Sequence, residues 1–227
     1  MIVIKTENIT KTYDPDKIPV RALRGVSVEI EEGEFTAIVG PSGSGKTTLL
    51  NIIGGLDRPT DGVIQLGGVD ISTLSDNQMI NFRKENIGFV FQAYNLIPVL
   101  TARENVEFIM MLQKKDSDER RKRADELLEA VGLHDKKDKR PNELSGGQQQ
   151  RVAVARALAS KPKFILADEP TANLDSQSTA DLLDMMAQMN KDENITFVFS
   201  THDQRVIDRA RRVITLVDGK IESDEAK

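Results

Sequence analysis

One glycine-rich segment constrains the fold of this chain more than any other feature. Residues 40–47 read GPSGSGKT, between the apolar run Phe35–Val39 and a helical pattern over Lys46–Ile53. This spacing fits the pattern G-x-x-x-x-G-K-[ST], and a strand before it with a helix after it is the context that confirms the pattern. An ordinary Gly/Ser-rich turn is the alternative, and the flanking strand and helix argue against it.

The chemistry expected of this loop is the binding of phosphate. Glycines let backbone N–H groups turn inward and form a concave anion site, and the helix N-terminus adds partial positive charge. Lys46 is placed to reach the β- and γ-phosphates of a nucleotide, and the Thr47 hydroxyl is placed to ligate Mg²⁺. The expected nucleotide-binding residues of this loop are Gly40, Pro41, Ser42, Gly43, Ser44, Gly45, Lys46, Thr47 and Thr48.

Composition narrows the remaining function classes. The chain has no cysteine and two histidines, which excludes disulfides and thiolate or histidine-rich metal sites. Its net charge of −5 argues against a nucleic-acid partner. No apolar run reaches the roughly 18 residues of a membrane span, and the first residues lack the features of a signal peptide. We therefore expect a cytoplasmic chain whose membrane-spanning helices, if it serves a membrane, come from a partner.

Strand and helix patterns alternate at both ends of the chain, which predicts a parallel α/β core. Alternating residues such as Val26, Val28 and Ile30 predict an N-terminal β portion, which we expect to be antiparallel. Between about Ser75 and Val131 helix-forming stretches dominate. We predict a single domain over residues 1–227, with a helical subdomain inserted at approximately 94–158.

Two adjacent carboxylates, Asp168 and Glu169, follow the apolar run Phe164–Ala167. Ligands gather at the carboxyl ends of strands in a parallel sheet. Asp168 is therefore placed to hold Mg²⁺, and Glu169, on the other face by alternation, to polarise an attacking water as a general base. A strand that simply ends in a solvated acidic pair is the alternative, and the phosphate loop argues against it.

A second glycine motif, Leu144–Gln148, reads LSGGQ and precedes a helical pattern predicted over Gln148–Ser160. Ser145 is a good N-cap, and Gly146 and Gly147 expose N–H groups at the helix start. One nucleotide needs only one phosphate loop, so this motif either contacts the nucleotide of another subunit or is an ordinary N-cap. The residues alone leave both interpretations open.

Three motifs follow one another along the chain, with a helical stretch between them: GPSGSGKT, LSGGQ and the Asp168–Glu169 pair. Together they resemble the nucleotide-binding domains of ABC transporters. The resemblance covers essentially the whole chain. It implies a P-loop NTPase core of the ABC ATPase type, with ATP and Mg²⁺ as cofactors. It also implies a head-to-tail homodimer in which Ser145, Gly146, Gly147 and Gln148 serve the partner's nucleotide.

The resemblance extends to four further residues. Gln92 is similar to the glutamine that contacts Mg²⁺ and water, and His202 to the histidine that contacts the γ-phosphate. Asp175, in Asn173-Leu174-Asp175, is similar to an aspartate at the subunit interface, and Tyr13 to the aromatic ring that stacks on adenine. By itself, a lone histidine or tyrosine at such a position is more often a packing or surface residue.

Within the family, the stretches Phe89–Pro98 and Leu144–Arg156 resemble the lipoprotein-release and macrolide-export branch. Ala172 departs from the glycine common there, and the stretch between Val106 and Arg120 looks shorter than usual. The implied function is ATP hydrolysis that powers a separate membrane permease, with the chain peripheral on the cytoplasmic face. A cell-division regulator that pairs with a membrane protein is the main alternative, whereas a kinase has no use for LSGGQ.

Overall fold

The computed structural model describes residues 1–14 and 17–227, and within them ten strands and seven α-helices. The strands are β1 Ile2–Tyr13, β2 Val20–Glu31, β3 Phe35–Val39, β4 Asp61–Leu66, β5 Val69–Asp70, β6 Ile87–Phe91, β7 Phe164–Asp168, β8 Thr196–Ser200, β9 Arg212–Val217 and β10 Lys220–Ala226. The helices are α1 Lys46–Ile53, α2 Asp76–Asn86, α3 Ala102–Leu112, α4 Ser117–Ala130, α5 Gly146–Ala159, α6 Ser176–Glu193 and α7 Gln204–Arg209.

The N-terminal strands form an antiparallel sheet in the order β2-β1-β4-β5. Val26, Val28 and Ile30 are buried and alternate with exposed residues, as expected of strands with one face on the core. Their buried side chains pack in one cluster with α1, so this sheet lies directly against the helix that begins at the phosphate loop. The predicted antiparallel β portion is confirmed.

A second sheet has the order β10-β9-β3-β8-β7-β6, and only β10 runs antiparallel to its neighbour. Every residue of β8 is buried, because a parallel sheet is covered on both faces. Ser200 at the end of β8 is paired with Ile38 of β3 on one side and Asp168 of β7 on the other. The segments that follow these three strands therefore meet at one edge of the sheet.

Helices α3, α4 and α5 fall almost entirely within the predicted segment 94–158. Their buried side chains, such as Val106, Leu128 and Val152, belong to the same apolar cluster as Ile165 of β7 and Leu182 of α6. The helical segment is thus packed on the core of the sheet. Among the helices that the structure describes, none is both long and apolar enough to cross a membrane.

Three local differences from the sequence-based expectation have clear causes. Ile87–Phe91 lies inside the stretch expected to be mainly helical, yet it forms edge strand β6, because five apolar residues can pair in parallel with β7. Helix α5 begins at Gly146 rather than Gln148, since the Ser145 cap places both glycines in the first turn. The short helix α7 was not predicted, and Asp203 caps it.

Candidate nucleotide-binding and hydrolysis site

The phosphate loop connects β3 to α1, and its glycines hold conformations that other residues rarely adopt. Gly40, Gly43 and Gly45 have φ values of 146°, 79° and 104°. A Cβ atom on Gly45 would lie 2.5 Å from the carbonyl oxygen of Ala22, whereas one on Gly43 would meet nothing within 4 Å. Glycine is therefore required by backbone shape at all three positions and also by close packing at Gly45 and at Gly40, where a Cβ atom would collide with the carbonyl oxygen of Leu216.

The ammonium group of Lys46 is buried in this loop without a counter-charge. Lys46 is 9% exposed, and its Nζ donates to the carbonyl oxygens of Gly40 (2.9 Å) and Pro41 (3.0 Å). Within residues 1–14 and 17–227, Lys46 forms no ion pair with a carboxylate. The hydroxyl of Ser44, also buried, has no hydrogen-bond partner in this part of the chain. A buried cation lacking a protein anion is costly, so this cradle fits an anionic ligand such as a phosphate group.

Two side-chain oxygens of the kind that ligate a cation lie next to this cradle. The Thr47 hydroxyl donates to Oδ1 of Asp168 at 3.1 Å, which joins the first turn of α1 to the end of β7. The described residues contain no cluster of three or more His, Cys, Asp or Glu side chains suited to a metal ion. One hydroxyl and one carboxylate fit Mg²⁺, which commonly takes few protein ligands and completes its shell with substrate phosphates and water.

Glu169 engages a different set of partners from Asp168. Its backbone is left-handed, with φ 45°, and its N–H donates to the carbonyl of Ser200 at 2.9 Å. Its carboxylate accepts from the Thr201 hydroxyl (3.2 Å) and lies 2.7 Å from Nδ1 of His202. The unusual backbone conformation, rather than strand alternation, directs Glu169 away from Asp168. Such strained residues cluster at functional sites.

Gln92 directly follows β6, and its side chain is exposed. The backbone carbonyl oxygen of Gln92 accepts from the side-chain amide of Asn173 at 3.0 Å. Just beyond it, Tyr94 and Asn95 both have left-handed backbones. Their carbonyl oxygens accept from the guanidinium of Arg156 in α5, and burial lowers the pKa of this group. The segment after Gln92 is thus fastened to α5.

The second glycine motif forms a capping box at the start of α5. Ser145 accepts from the N–H of Gln148 through its hydroxyl, and Gln148 accepts from the N–H of Ser145. A Cβ atom on Gly146 would lie 2.8 Å from the Tyr94 hydroxyl, and one on Gly147 would lie 3.0 Å from the Ser178 hydroxyl. Packing within the chain therefore already favours both glycines.

Among the described residues, no hydrogen bond or ion pair connects residues 145–148 to the phosphate loop. Asp175 caps α6, and both of its carboxylate oxygens accept from Ser178. The structure therefore shows a local capping role for Ser145 and Asp175, and their expected contacts with a second subunit stay predictions.

Tyr13, at the end of β1, donates its hydroxyl to Oδ2 of Asp57 at 2.8 Å. Burial and this hydrogen bond raise the pKa of Tyr13, and the hydroxyl of Thr48 acts in the opposite direction. Tyr13 thus lies beside α1, the helix that begins with Lys46.

Sequence reasoning missed two residues that hold the site together. Gln150 of α5 is fully buried and donates to the carbonyl of Pro170 at 2.7 Å, directly after Glu169. Asp203 accepts from the Thr171 hydroxyl at 2.8 Å and so ties the segment after Glu169 to the segment after His202. A polar residue on an otherwise apolar helix face was the available signal for Gln150. Asp203 gave none, because its partner is distant in sequence.

The fold and this site define a P-loop α/β protein with a nucleotide site at the carboxyl edge of its parallel sheet. Residues 23–172 match the family model described as ABC transporter. The chain belongs to the ABC transporter family. It is an ATP-binding and ATP-hydrolysing cassette of that family.

Known relatives agree with the predicted branch. Over 221 residues the chain is 47% identical to the lipoprotein-releasing system ATP-binding protein LolD 1 of Rhodopseudomonas palustris, covering 96% of this chain and 98% of that protein. Over 225 residues it is 48% identical to the macrolide export ATP-binding/permease protein MacB of Brucella melitensis, covering 99% of this chain but 35% of that protein.

A solved structure with the same architecture is the dimeric post-hydrolysis state of the ATP-binding cassette MJ0796 of Methanocaldococcus jannaschii, bound to ADP and Pi. Its TM-score to this chain is 0.90 at 45% identity, and the match covers 98% of each chain. The predicted fold class is confirmed.

Proposed function

We propose that this chain hydrolyses ATP at sites shared by two copies of itself, and that the resulting closure and opening drive a separate membrane permease. The observation that carries the nucleotide site is the buried ammonium of Lys46, whose hydrogen bonds among the described residues go only to carbonyl oxygens of its own loop. In that position it pairs with the β- and γ-phosphates, and the N–H groups of the loop bind the same oxygens.

Mg²⁺ belongs to this proposal as a second cofactor. Thr47 and Asp168 would hold it, with the exposed side chain of Gln92 as a further ligand. Bound there, Mg²⁺ neutralises negative charge on the phosphates. The proposal is supported by the 3.1 Å contact between the two oxygen ligands, which places the hydroxyl and the carboxylate in one small region.

Hydrolysis needs a group that accepts a proton from water, and we assign this role to Glu169. Its carboxylate lies at the strand end next to Asp168 but faces the segment that follows β8. The neighbouring imidazole of His202 is mostly exposed and in contact with this carboxylate. We therefore assign His202 two roles, in which it orients Glu169 and contacts the γ-phosphate. A positioned base of this kind typically contributes 10²–10⁴-fold.

The second glycine motif completes the site across a dimer interface. Ser145, Gly146, Gly147, Gln148 and Asp175 would face the nucleotide held by the partner. Support comes from the incomplete character of this motif within one chain, which has no lysine or Mg²⁺ ligand, and from the dimeric state of the MJ0796 structure. A twofold arrangement produces two equivalent sites. The γ-phosphate bridges the two halves only while it is attached, so hydrolysis releases them.

The partner we propose is an integral membrane permease of an export or extrusion system, which would hold the chain at the cytoplasmic face of the membrane. The names of LolD and MacB refer to lipoprotein release and macrolide export, and both relatives share nearly half of their aligned residues with this chain. A regulator of a membrane cell-division complex is the second candidate, because it requires the same cassette and also a membrane partner.

The direct test is phosphate release from ATP by the purified chain, measured with Mg²⁺ and again after chelation. Hydrolysis that requires Mg²⁺ and rises more than linearly with protein concentration supports a shared site. Hydrolysis strictly proportional to protein concentration at saturating ATP, with a monomeric mass throughout, contradicts it. Reconstitution with a candidate membrane permease then separates transport from cell-division regulation, since only the former couples ATP turnover to movement of a cargo.

A further inference from the structure

Asp57 binds the hydroxyl of Tyr13, the residue whose ring we expect to stack on adenine. None of the sequence motifs contains Asp57. It lies in the loop after α1. Its Oδ2 accepts from the Tyr13 hydroxyl at 2.8 Å, and its Oδ1 accepts from Nζ of Lys11 at 2.6 Å. Both partners come from the end of β1, so a single carboxylate connects two side chains of that strand to the loop.

Lys11 reinforces this arrangement from one face of the ring. Its Nζ lies 4.8 Å from the centroid of Tyr13, within the range of a cation–π contact. The same Nζ also donates to the carbonyl of Arg58 at 2.7 Å, and the Lys11 side chain is only 13% exposed. One face of the tyrosine ring is therefore occupied by a fixed cation, and the hydroxyl is held at the ring edge.

The carboxylate that holds the tyrosine is itself fixed to the phosphate-binding helix. The backbone N–H groups of Leu56 and Asp57 donate to the carbonyl of Asn51 in α1, at 2.8 and 3.2 Å. Oδ1 of Asp57 also accepts from the N–H of Arg58 at 2.7 Å. Tyr13 is thus attached, through Asp57, to the same helix whose first residue is Lys46.

We propose that Asp57, together with Lys11, is a positioning residue for the nucleotide base: it holds Tyr13 at a set place relative to the phosphate loop. This inference rests on the proposed nucleotide site. Tyr13 is 37% exposed, and an unrestrained surface side chain loses rotamer freedom when it orders against a ligand. Fixing the ring beforehand removes that cost, which is the general advantage of preorganisation.

The electrostatics of the pair agree with this role. Burial by itself would raise the pKa of Asp57, but the hydrogen bonds from Lys11 and Tyr13 bring that pKa below its usual value. Asp57 therefore stays ionised at neutral pH and accepts both hydrogen bonds. The phenol of Tyr13, whose pKa is raised, stays protonated and donates.

The test compares ATP with inorganic tripolyphosphate, which shares the phosphates but has no base. Equilibrium affinities for both ligands are measured with wild type, Asp57→Ala and Tyr13→Phe. The second variant keeps the ring and the loop and removes only the hydroxyl, so it also serves if Asp57→Ala folds poorly. Asp76→Asn is the matched control, because Asp76 pairs with Arg58 of the same loop and forms no hydrogen bond with Tyr13 in the part of the chain that the structure describes.

We expect ATP to bind about three- to tenfold more weakly to both variants, because the ring is still present and only part of the base–aromatic stacking energy is lost. Tripolyphosphate affinity should stay within about twofold of wild type, and Asp76→Asn should leave the affinity for both ligands unchanged. The inference is contradicted if the ratio of the two affinities stays at the wild-type value in both variants. This holds whether neither affinity changes or both fall equally. A wild-type chain that binds neither ligand contradicts the proposed function itself.

A spectroscopic measurement checks the mechanism without using affinity. The chain has no tryptophan and two tyrosines, so a Tyr94→Phe background leaves Tyr13 as the only tyrosine whose absorbance and emission can be followed. Asp57→Ala in that background should free the phenol from its carboxylate acceptor, and this should lower the pH at which Tyr13 ionises and change its emission. An unchanged ionisation and emission would show that Asp57 does not hold the ring.

Discussion

His202 and Glu169 are in direct contact: Nδ1 of the imidazole lies 2.7 Å from a carboxylate oxygen, although 33 positions separate the two residues in the chain. The contact exists because β7 and β8 are neighbours in the sheet, with Asp168 paired to Ser200. Each residue follows one of these strands. The same sheet edge carries the phosphate loop, so the proposed base, the imidazole and this loop converge there.

Replacing Glu169 with Gln should lower ATP turnover by about 10²–10⁴-fold and leave ATP binding intact. The amide cannot accept the proton from water, whereas the phosphate loop still holds the nucleotide. Phosphate release measures turnover, and equilibrium titration measures binding. Glu129→Gln, an exposed carboxylate on α4, is the control and should behave as wild type. Turnover near the parent rate would remove Glu169 as the base.

The same Glu169→Gln variant should accumulate as a dimer in ATP and Mg²⁺, because closure on ATP is no longer followed by hydrolysis. Light scattering should show a doubled mass that returns to the monomer value when the nucleotide is removed. A persistent monomer at saturating ATP and Mg²⁺ would count against the shared site.

Replacing Lys46 with Ala should weaken ATP binding severely without unfolding the protein. The ammonium forms no ion pair within the described residues, so its removal breaks only two hydrogen bonds to loop carbonyls. Equilibrium titration with ATP measures the first effect and thermal unfolding the second. Lys220→Ala, at an exposed position in β10, is the matched control. An unaltered ATP affinity would refute the phosphate-loop assignment.

Replacing Ser145 with Arg should leave ATP binding by the monomer nearly intact while preventing dimer closure and hydrolysis. The bulky cation would obstruct the close approach that Gly146 and Gly147 permit. Titration, light scattering and phosphate release separate the three effects. If Ser145→Arg instead abolishes ATP binding by the isolated monomer, the second motif serves its own chain's nucleotide and the head-to-tail arrangement is wrong.

Mixing Ser145→Arg with Lys46→Ala sharpens this test. A mixed dimer has one composite site with both defects and one with neither. Partial recovery of hydrolysis above that of either variant alone supports sharing across the interface. Recovery should scale with the fraction of mixed dimer, and wild type mixed with Lys46→Ala provides the reference for subunit exchange.

The depressed pKa of Asp203 predicts that the stability of the fold depends on pH in the acid range. Hydrogen bonds from Arg205 and Thr171 lower the pKa of Asp203 from 3.8 to about 2. Because the folded-state pKa is depressed, the stabilisation is complete above pH 3.8 and disappears as the pH falls through about 2. Asp203→Asn should therefore lower the free energy of unfolding at neutral pH by about 1–2 kcal/mol, allowing for partial solvent screening.

Urea unfolding over a series of pH values measures this difference. The gap between Asp203→Asn and wild type should narrow as the pH falls below 3.8. Asp192→Asn, at an exposed position in α6, is the control and should show no such convergence. A gap that is constant with pH would mean that the hydrogen bonds of Asp203, rather than its charge, account for the stability.

The sequence by itself determined the local parts of this protein. GPSGSGKT between an apolar run and a helical pattern is a local arrangement, because glycine conformations and helix starts depend on neighbouring residues. LSGGQ predicted a helix cap for the same reason, and Ser145 forms one. Because of this cap, α5 begins two residues earlier than the pattern of apolar residues predicted.

The tertiary structure decided which of these parts meet. Ile87–Phe91 is a strand only because β7 is available to pair with it, and periodicity cannot report a distant partner. The contacts of Asp57 with Tyr13, Asn173 with Gln92, and Arg156 with Tyr94 join segments that are remote in sequence. Such pairs have no local signature, since their geometry depends on strand order and helix packing. Motifs therefore identified the chemistry, and long-range packing decided how its groups are held.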